Sequence, residues 1–316
     1  MIAFVLKRLG QSLLLLLLVS MIGFALLHLA PGGPLAQFTL TPGMSQAALQ
    51  QIAHQMGLDL PLPLQYLQWL RRLLVGDWGR SYRDSQPVLW VIGSHLGATL
   101  ELMFSSTLLA VILGTWVGVL GAIKRYSLAD YAATSGAMIA LSIPTFWFGL
   151  VMIYIFSVRL AWLPAGNIAT VGDGSLLDYA RHLIEPCIVL ALVTVATWSR
   201  YMRASMLEVI NQDYIRTARA KGLRRAQVLI HHALRNALLP MITVAGLQLP
   251  TLLSGALVTE TVFTWPGMGR LFLDSLGYRD YPMVMGLLMF SAVLVLLGNL
   301  VADMLYIVAD PRVRLT

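Results

Sequence analysis

Six basic side chains, Arg216, Arg219, Lys221, Arg224, Arg225 and Arg235, fall within one twenty-residue stretch. Such a cluster can meet anionic lipid, nucleic acid or an acidic protein surface. Other chemistry is harder to find. The lysines are Lys7, Lys124 and Lys221, and none follows a glycine. No Gly-Lys pair is therefore available to cradle phosphates in a Walker A loop. The histidines are His28, His54, His95, His182, His231 and His232, with no H-E-x-x-H pattern among them. Cys187 is the sole cysteine, so no internal disulfide forms and no thiolate metal site is indicated. There is no G-x-S-x-G nucleophile elbow. The basic stretch stands out in a chain without a visible motor or hydrolytic centre.

Spacing gives that stretch a shape. Asp213 is placed to cap a helix and Gly222 to end one, which brackets about two turns. A helix so short is marginal alone in water and needs a surface to pack on. In the following segment, from Leu223 to Ala237, a period of about 100° per residue puts Ala226, Ile230, Ala233 and Ala237 on one face. His231, His232 and Arg235 fall on the other. The pattern predicts an amphipathic helix entering a membrane span. A plainer reading is a basic loop held near lipid headgroups.

The elements that position this stretch are apolar. The 316 residues are 58% hydrophobic and 12% charged, about half the charge of a soluble domain. Six stretches reach the roughly 20 residues a spanning helix needs. They are Leu9–Ala30, Ala98–Gly121, Thr134–Val158 with Pro144 inside, Pro186–Met206, Pro240–Val258 with Pro250 inside, and Met283–Val308. The first is too long for a signal-peptide core and reads as a retained span. With the N-terminus inside, 14 of the 22 basic residues lie on the inner side. They include Lys7, Arg8, Lys124, Arg125, Arg200, Arg203, Arg312 and Arg314. The positive-inside rule then puts both termini in the cytoplasm. Charges scattered between apolar runs do not fit nucleic acid. Pro144 and Pro250 mark either a hinge or pathway-lining break, or a static kink. Gly114 and Gly118, four apart, allow close helix approach.

The loop from about 31 to 97 is expected to be structured. Ser45 can cap a helix ending at Gly57, and Leu64 to Leu74 read as an amphipathic segment. Gly76-Asp77-Trp78-Gly79-Arg80-Ser81 follows as a turn cluster. This loop could gate, contact a delivering partner, or shield the outer helix ends. The last outer loop holds Trp265, Pro266, Gly267 and Arg270, with Arg279-Asp280-Tyr281-Pro282 beyond. It reads as re-entrant or interfacial, and its first four residues are candidates for an outer gate.

The stretch Arg216-Thr217-Ala218, three residues, Gly222, and later Leu239-Pro240 resembles the EAA signature of binding-protein-dependent ABC importers. Similarity to the dipeptide, oligopeptide, glutathione and nickel branch covers nearly the whole chain. It is also carried by Gly76-Asp77-Trp78-Gly79, Arg235 to Pro240, Trp265 to Arg270, Arg279 to Pro282 and Asp310-Pro311-Arg312. Leu163-Pro164-Ala165-Gly166 resembles a branch feature without assignable chemistry. Arg216 stands where the signature has Glu, and Thr217 where it has its first Ala. Pro31-Gly32-Gly33-Pro34 lacks an Asp the branch often has there.

The resemblance implies an all-α polytopic fold of the type I, MetI-like importer kind, with six transmembrane helices. It implies an N-terminal helix over 1–30, an extracytoplasmic insertion over 31–97, a core over 98–308 with a coupling loop at 207–239, and a cytoplasmic tail over 309–316. Residues Asp213, Tyr214, Arg216, Thr217, Ala218, Arg219, Ala220, Lys221 and Gly222 would form the helix that couples to an ATPase. The chain itself would be no enzyme and bind no metal or other cofactor, with ATP and Mg held by partner subunits. Those partners would be two ATPase subunits, a second permease subunit and an extracytoplasmic solute-binding protein. All would work at a bacterial inner membrane. The solute would be a peptide, or alternatively glutathione, nickel or another metal chelate.

Rival classes are a secondary transporter, a membrane enzyme and an assembly scaffold. Secondary transporters usually keep ionisable groups at mid-membrane. Here Glu101, Glu185 and Glu260 are expected near outer ends and Asp303 near an inner end. Ser142, Thr145, Gln248 and Ser254 are the polar mid-span residues, either lining a pathway or bonding neighbouring helices.

Overall fold

The computed structural model describes residues 2–39, 44–254 and 256–309. The Asp310-Pro311-Arg312 motif and Arg314 lie outside the described residues, as do the side chains of Pro250 and Ser254. The described chain is helical, without a named strand. We label α1 (Ile2–Leu29), α2 (Gln46–Gln55), α3 (Leu62–Leu74), α4 (Val88–Ile123), α5 (Leu128–Ser142) and α6 (Thr145–Met152). There follow α7 (Leu176–Ile210), α8 (Asp213–Ala220), α9 (Arg225–Gln227, Val228–Leu234 and Arg235–Ser254 in succession), α10 (Leu257–Val262), α11 (Met268–Gly277) and α12 (Tyr281–Ala309).

Five of these are long and apolar enough to cross a bilayer, and α5 with α6 makes a sixth if the bent pair counts as one span. The span expected over 134–158 is broken at its proline, the break rather than the static kink of the two readings. The chain breaks at Pro144, and the direction of the helix bends there by 102°. Proline has no N–H to continue the ladder, and it drives the residue before it out of the helical region. Ile143 is accordingly extended, at φ −82° and ψ 125°. Beyond Met152 the second arm widens into a π-helical stretch, Ile153–Arg159.

Two helices begin ten residues before their expected spans. α4 starts at Val88 after Pro87. α7 starts at Leu176, where the Ser175 hydroxyl accepts from the Asp178 N–H. Pro186 therefore sits inside α7 and does not open it.

α4 and α7 form the central pair. Association in lipid depends on close packing, since acyl chains are as apolar as leucine. The pair uses the two glycines for this. A Cβ on Gly114 would fall 2.9 Å from the Trp198 side chain, and one on Gly118 2.6 Å from the Ser199 carbonyl. The Trp198 indole also donates to Thr115 at 2.9 Å. α12 packs against α9 and α1, and α5 against α7.

The structured loop is present. Ser45 accepts from the Ala48 N–H at 3.2 Å, and α2 ends before Gly57, which has φ +69°. α3 covers the amphipathic segment.

Candidate functional site

The basic stretch folds into α8 and the start of α9. Gln212, in extended conformation, takes the capping position without a side-chain hydrogen bond. The expectation that Asp213 caps is corrected: it is the first helical residue. Its carboxylate meets Arg216 Nη1 at 3.4 Å, one turn on, where the helix dipole favours an acid. The Thr217 hydroxyl donates to the Asp213 carbonyl at 3.0 Å. At the other end Gly222 is left-handed, φ +79°, and its N–H donates to the Arg219 carbonyl at 3.0 Å. Nothing crowds its Cβ position. The glycine is there for the backbone angle.

Two residues anchor α8. Ile215 is 0% exposed and Ala218 6%, three apart and so on one face. They join a cluster with Met202 and Met206 of α7 and Val228 and Ala233 of α9. The remaining face is open: Tyr214, Thr217, Arg219, Ala220 and Lys221 are exposed, and Arg216 keeps 74% of its side-chain surface. Arg224 and Arg225 continue the exposed basic surface.

The buried stripe of α9 is not the expected one. Ala233 and Ala237 are buried as read, but Ala226 and Ile230 are exposed. Val228 and Met241 take their places. The cause is the π-helical stretch Val228–Leu234. There hydrogen bonds run five residues apart, so Val228 leads to Ala233 across five positions. The α-helical step of four then leads to Ala237 and Met241. The Ser205 hydroxyl donates to the Ala237 carbonyl at 2.8 Å and ties this stripe to α7.

Close to α8, the Arg203 guanidinium grips Asp130 with two hydrogen bonds, of 2.6 and 2.7 Å. Asp130 is buried and also accepts from the Tyr126 N–H at 2.9 Å. This ties the α4–α5 loop and the first arm of the broken span to α7.

Trp265, Pro266, Gly267 and Arg270 come together, at the end of the molecule away from α8. They form packing rather than an open rim. Trp265 is fully buried and its indole donates to the Ala98 carbonyl at 2.8 Å. Arg270 donates to the Thr264 carbonyl at 2.6 Å. The centre is Glu260, also fully buried. It accepts from the Thr99 hydroxyl at 2.9 Å and from the Gly269 and Arg270 N–H groups at 2.7 and 3.1 Å. A Cβ on Gly267 would fall 2.4 Å from the Glu260 carboxyl carbon. Sequence reading placed Glu260 near an outer end but missed this role.

Nearby, Asp280 joins two of the motifs. It accepts from the Ser81 hydroxyl and, at 3.1 Å, from the Tyr82 N–H. Burial pushes the Tyr82 phenol above its ordinary pKa, and the Asp280 charge adds to this.

Ser142 and Thr145 flank the Pro144 break, and Gln248 lies on α9, a separate element. The Ser142 hydroxyl donates to the Met138 carbonyl of its own helix at 2.9 Å. Among the described residues no group of three His, Cys, Asp or Glu side chains is placed to hold a metal. What the α8 region offers chemically is a basic, anchored protrusion.

Comparison with known proteins agrees with this architecture. Residues 110–315 match the model of the binding-protein-dependent transport system inner membrane component, and residues 1–103 match that of its N-terminal region. The oligopeptide transport system permease protein AppB of Bacillus subtilis is 45% identical over 99% of this chain and 100% of its own. The dipeptide transport system permease protein DppB of Escherichia coli K12 is 40% identical over 99% of both chains. A chain of the MetNI methionine ABC transporter, in an inward-facing conformation, superposes with a TM-score of 0.55 at 21% identity. It covers 72% of this chain and 99% of that one. The chain belongs to the binding-protein-dependent transport system inner membrane component family, as a multi-pass permease subunit of an ABC importer of the dipeptide and oligopeptide branch.

Proposed function

We propose that this chain forms half of a pore importing peptides, and that α8 is the element through which ATP hydrolysis elsewhere drives it. The observation carrying this is the division of α8 into two faces. Ile215 and Ala218 hold it to the membrane helices, while Tyr214, Arg216, Arg219 and Lys221 face outward. A two-turn helix does not persist alone. Fixed by its apolar foot, it presents a rigid, basic surface to a partner. The absence of any Gly-Lys pair in the sequence makes a separate ATPase necessary for an ATP-driven cycle.

In this reading two ATPase subunits bind the α8 side, hold ATP and Mg, and lie in the cytoplasm with both termini of this chain. A second permease subunit completes the pore, and a solute-binding protein delivers from the opposite side. The names of the relatives, oligopeptide and dipeptide permeases, support peptides as the solute.

The test is Arg219→Glu and Gly222→Val, each in the reconstituted importer. Arg219→Glu reverses charge on the exposed face, and Gly222→Val puts a β-branched residue at a positive φ. Both are expected to insert normally, to lose co-purification with the ATPase subunits, and to lose peptide uptake. Retention of both properties in both variants would sink the docking role of α8.

A further inference from the structure

Near its C-terminal end α1 carries a second helix across it. The Ser20 hydroxyl, fully buried, shares a hydrogen bond of 2.8 Å with the Tyr66 hydroxyl of α3. His28 Nε2 and Gln65 Oε1 are 3.1 Å apart. Phe24 packs edge-on against Tyr66, with ring centres 5.5 Å apart, and tilted against Trp69 at 6.0 Å.

These contacts fix a depth. The apolar run Lys7–Leu29 has 23 residues, about 34 Å of helix at 1.5 Å per residue. A bilayer's hydrocarbon core is about 30 Å thick, so the run has little length to spare. Ser20 lies nine residues before Leu29, about 13 Å along the axis. Its bonding partner therefore reaches well below the membrane surface.

The sides of α3 agree with this depth. At about 100° per residue, three sectors follow one another. Tyr66 and Trp69 turn toward α1. Leu67 and Leu74, one heptad apart, come next and are 56% and 77% exposed. Gln68, Arg71 and Arg72 occupy the far side and are exposed as well. A helix standing in water would not leave its apolar flank bare beside its own packed face. A helix in the interface plane does so: its apolar side sinks about 5–10 Å past the headgroups and its basic side stays among them. Tyr and Trp are the aromatics enriched at that level. On the same stretch of α1, Leu18, Met21, Ile22 and Leu26 are exposed, as a lipid-facing side requires.

We infer that α3 lies in the membrane leaflet at the C-terminal end of α1, with Leu67 and Leu74 in the acyl region and Arg71 and Arg72 at the phosphates. The 62–74 segment is then a lipid-bound strut, whatever solute the pore carries.

Cys187, the sole cysteine, is buried, so Cys187→Ala gives a background for single reporters. Leu67→Cys, Leu74→Cys and Gln68→Cys would each carry a small fluorophore in the assembled importer, reconstituted into lipid nanodiscs. Quenching would be compared between nitroxide-labelled phospholipid and iodide in the buffer. The Leu67 and Leu74 reporters are expected to lose most of their emission to the nitroxide lipid and little to iodide, with Gln68 the reverse. Leu74, at the end of the helix, gives the reading where the Leu67 variant fails to assemble. Iodide quenching at both leucine positions as strong as at Gln68 would place α3 in water. Shielding of both from either quencher would mean a protein subunit covers this face. Either result overturns the inference.

Discussion

Replacing Glu260 by glutamine puts a donor where four hydrogens converge. Oε1 accepts from Thr99 and the Ala256 N–H, and Oε2 from the Gly269 and Arg270 N–H groups. Turned one way, a glutamine NH2 meets the Gly269 and Arg270 N–H groups head-on; turned the other way, it meets the Ala256 N–H and forces the Thr99 hydroxyl to rotate away. Each buried donor left unmet costs about 1–3 kcal/mol. Glu260→Gln is expected to lower the melting temperature of the detergent-solubilised protein and to reduce uptake, and Glu260→Ala to do more of both. If the two variants melt and transport like the parent, Glu260 is not the clasp described. No local pattern marks this residue, because Thr99 lies 161 positions away. What was legible was the Pro and Gly content of the Trp265 to Arg270 stretch, which reads as re-entrant or interfacial. The physical reason for its glycines is partly Glu260: a Cβ on Gly267 would strike the carboxyl, and one on Gly269 would fall 2.5 Å from the Leu257 Cα.

At the scale of elements, the sequence was most informative where local chemistry decides. Ser45, Gly57 and Gly222 end or begin helices through side-chain caps and positive φ, which need no distant partner. It was least informative where the helical period changes. Nothing in the residue types from Val228 to Leu234 announces the five-residue spacing of the α9 stripe. Val228 and Ala233, brought to one side by it, pack with Ile215 and Ala218 of α8. That same packing makes a prediction about α8. Its anchor is Ile215 with Ala218, and removing a buried isoleucine side chain to alanine costs about 2–5 kcal/mol. An eight-residue helix has little other stabilisation. Ile215→Ala should therefore release α8 without disturbing the spans. Hydrogen exchange over residues 213–221 is expected to rise to the rate of a free peptide, with uptake lost and membrane insertion retained. Exchange unchanged from the parent would show that α8 is held by something other than its apolar foot.

Across the whole molecule, motifs far apart in sequence meet at the end away from α8. Ser81 and Tyr82 bond Asp280. Gly166 lets the carbonyl of Phe263 approach to 2.6 Å of its Cβ position, and the Asn167 N–H donates to that carbonyl at 2.9 Å. The broken span joins this end to the other. Gly149 of α6 packs under Val262 and Phe263, where a Cβ would be 3.2 Å from each. Asp130 of α5, on the far side of the break, is held by Arg203 of α7, and Met202 beside it packs in the cluster that seats α8. Contacts thus run from α8 through Met202 and the neighbouring Arg203 to Asp130, and along the arms meeting at Pro144 to Phe263. The Arg203 side chain keeps 30% of its surface exposed. Losing Asp130 should therefore fall at or below the low end of the roughly 3–5 kcal/mol seen when one partner of a buried pair is removed. That is little enough for the importer to assemble. Asp130→Asn keeps the shape and removes the charge. Its expected signature is a fall in peptide taken up per ATP hydrolysed, with ATPase activity retained. Arg203→Ala should give the same phenotype, and the double variant should be no worse than either single one, because both remove one link. If the ratio of uptake to hydrolysis matches the parent in both single variants, the connection between α8 and the Phe263 end does not run through this ion pair.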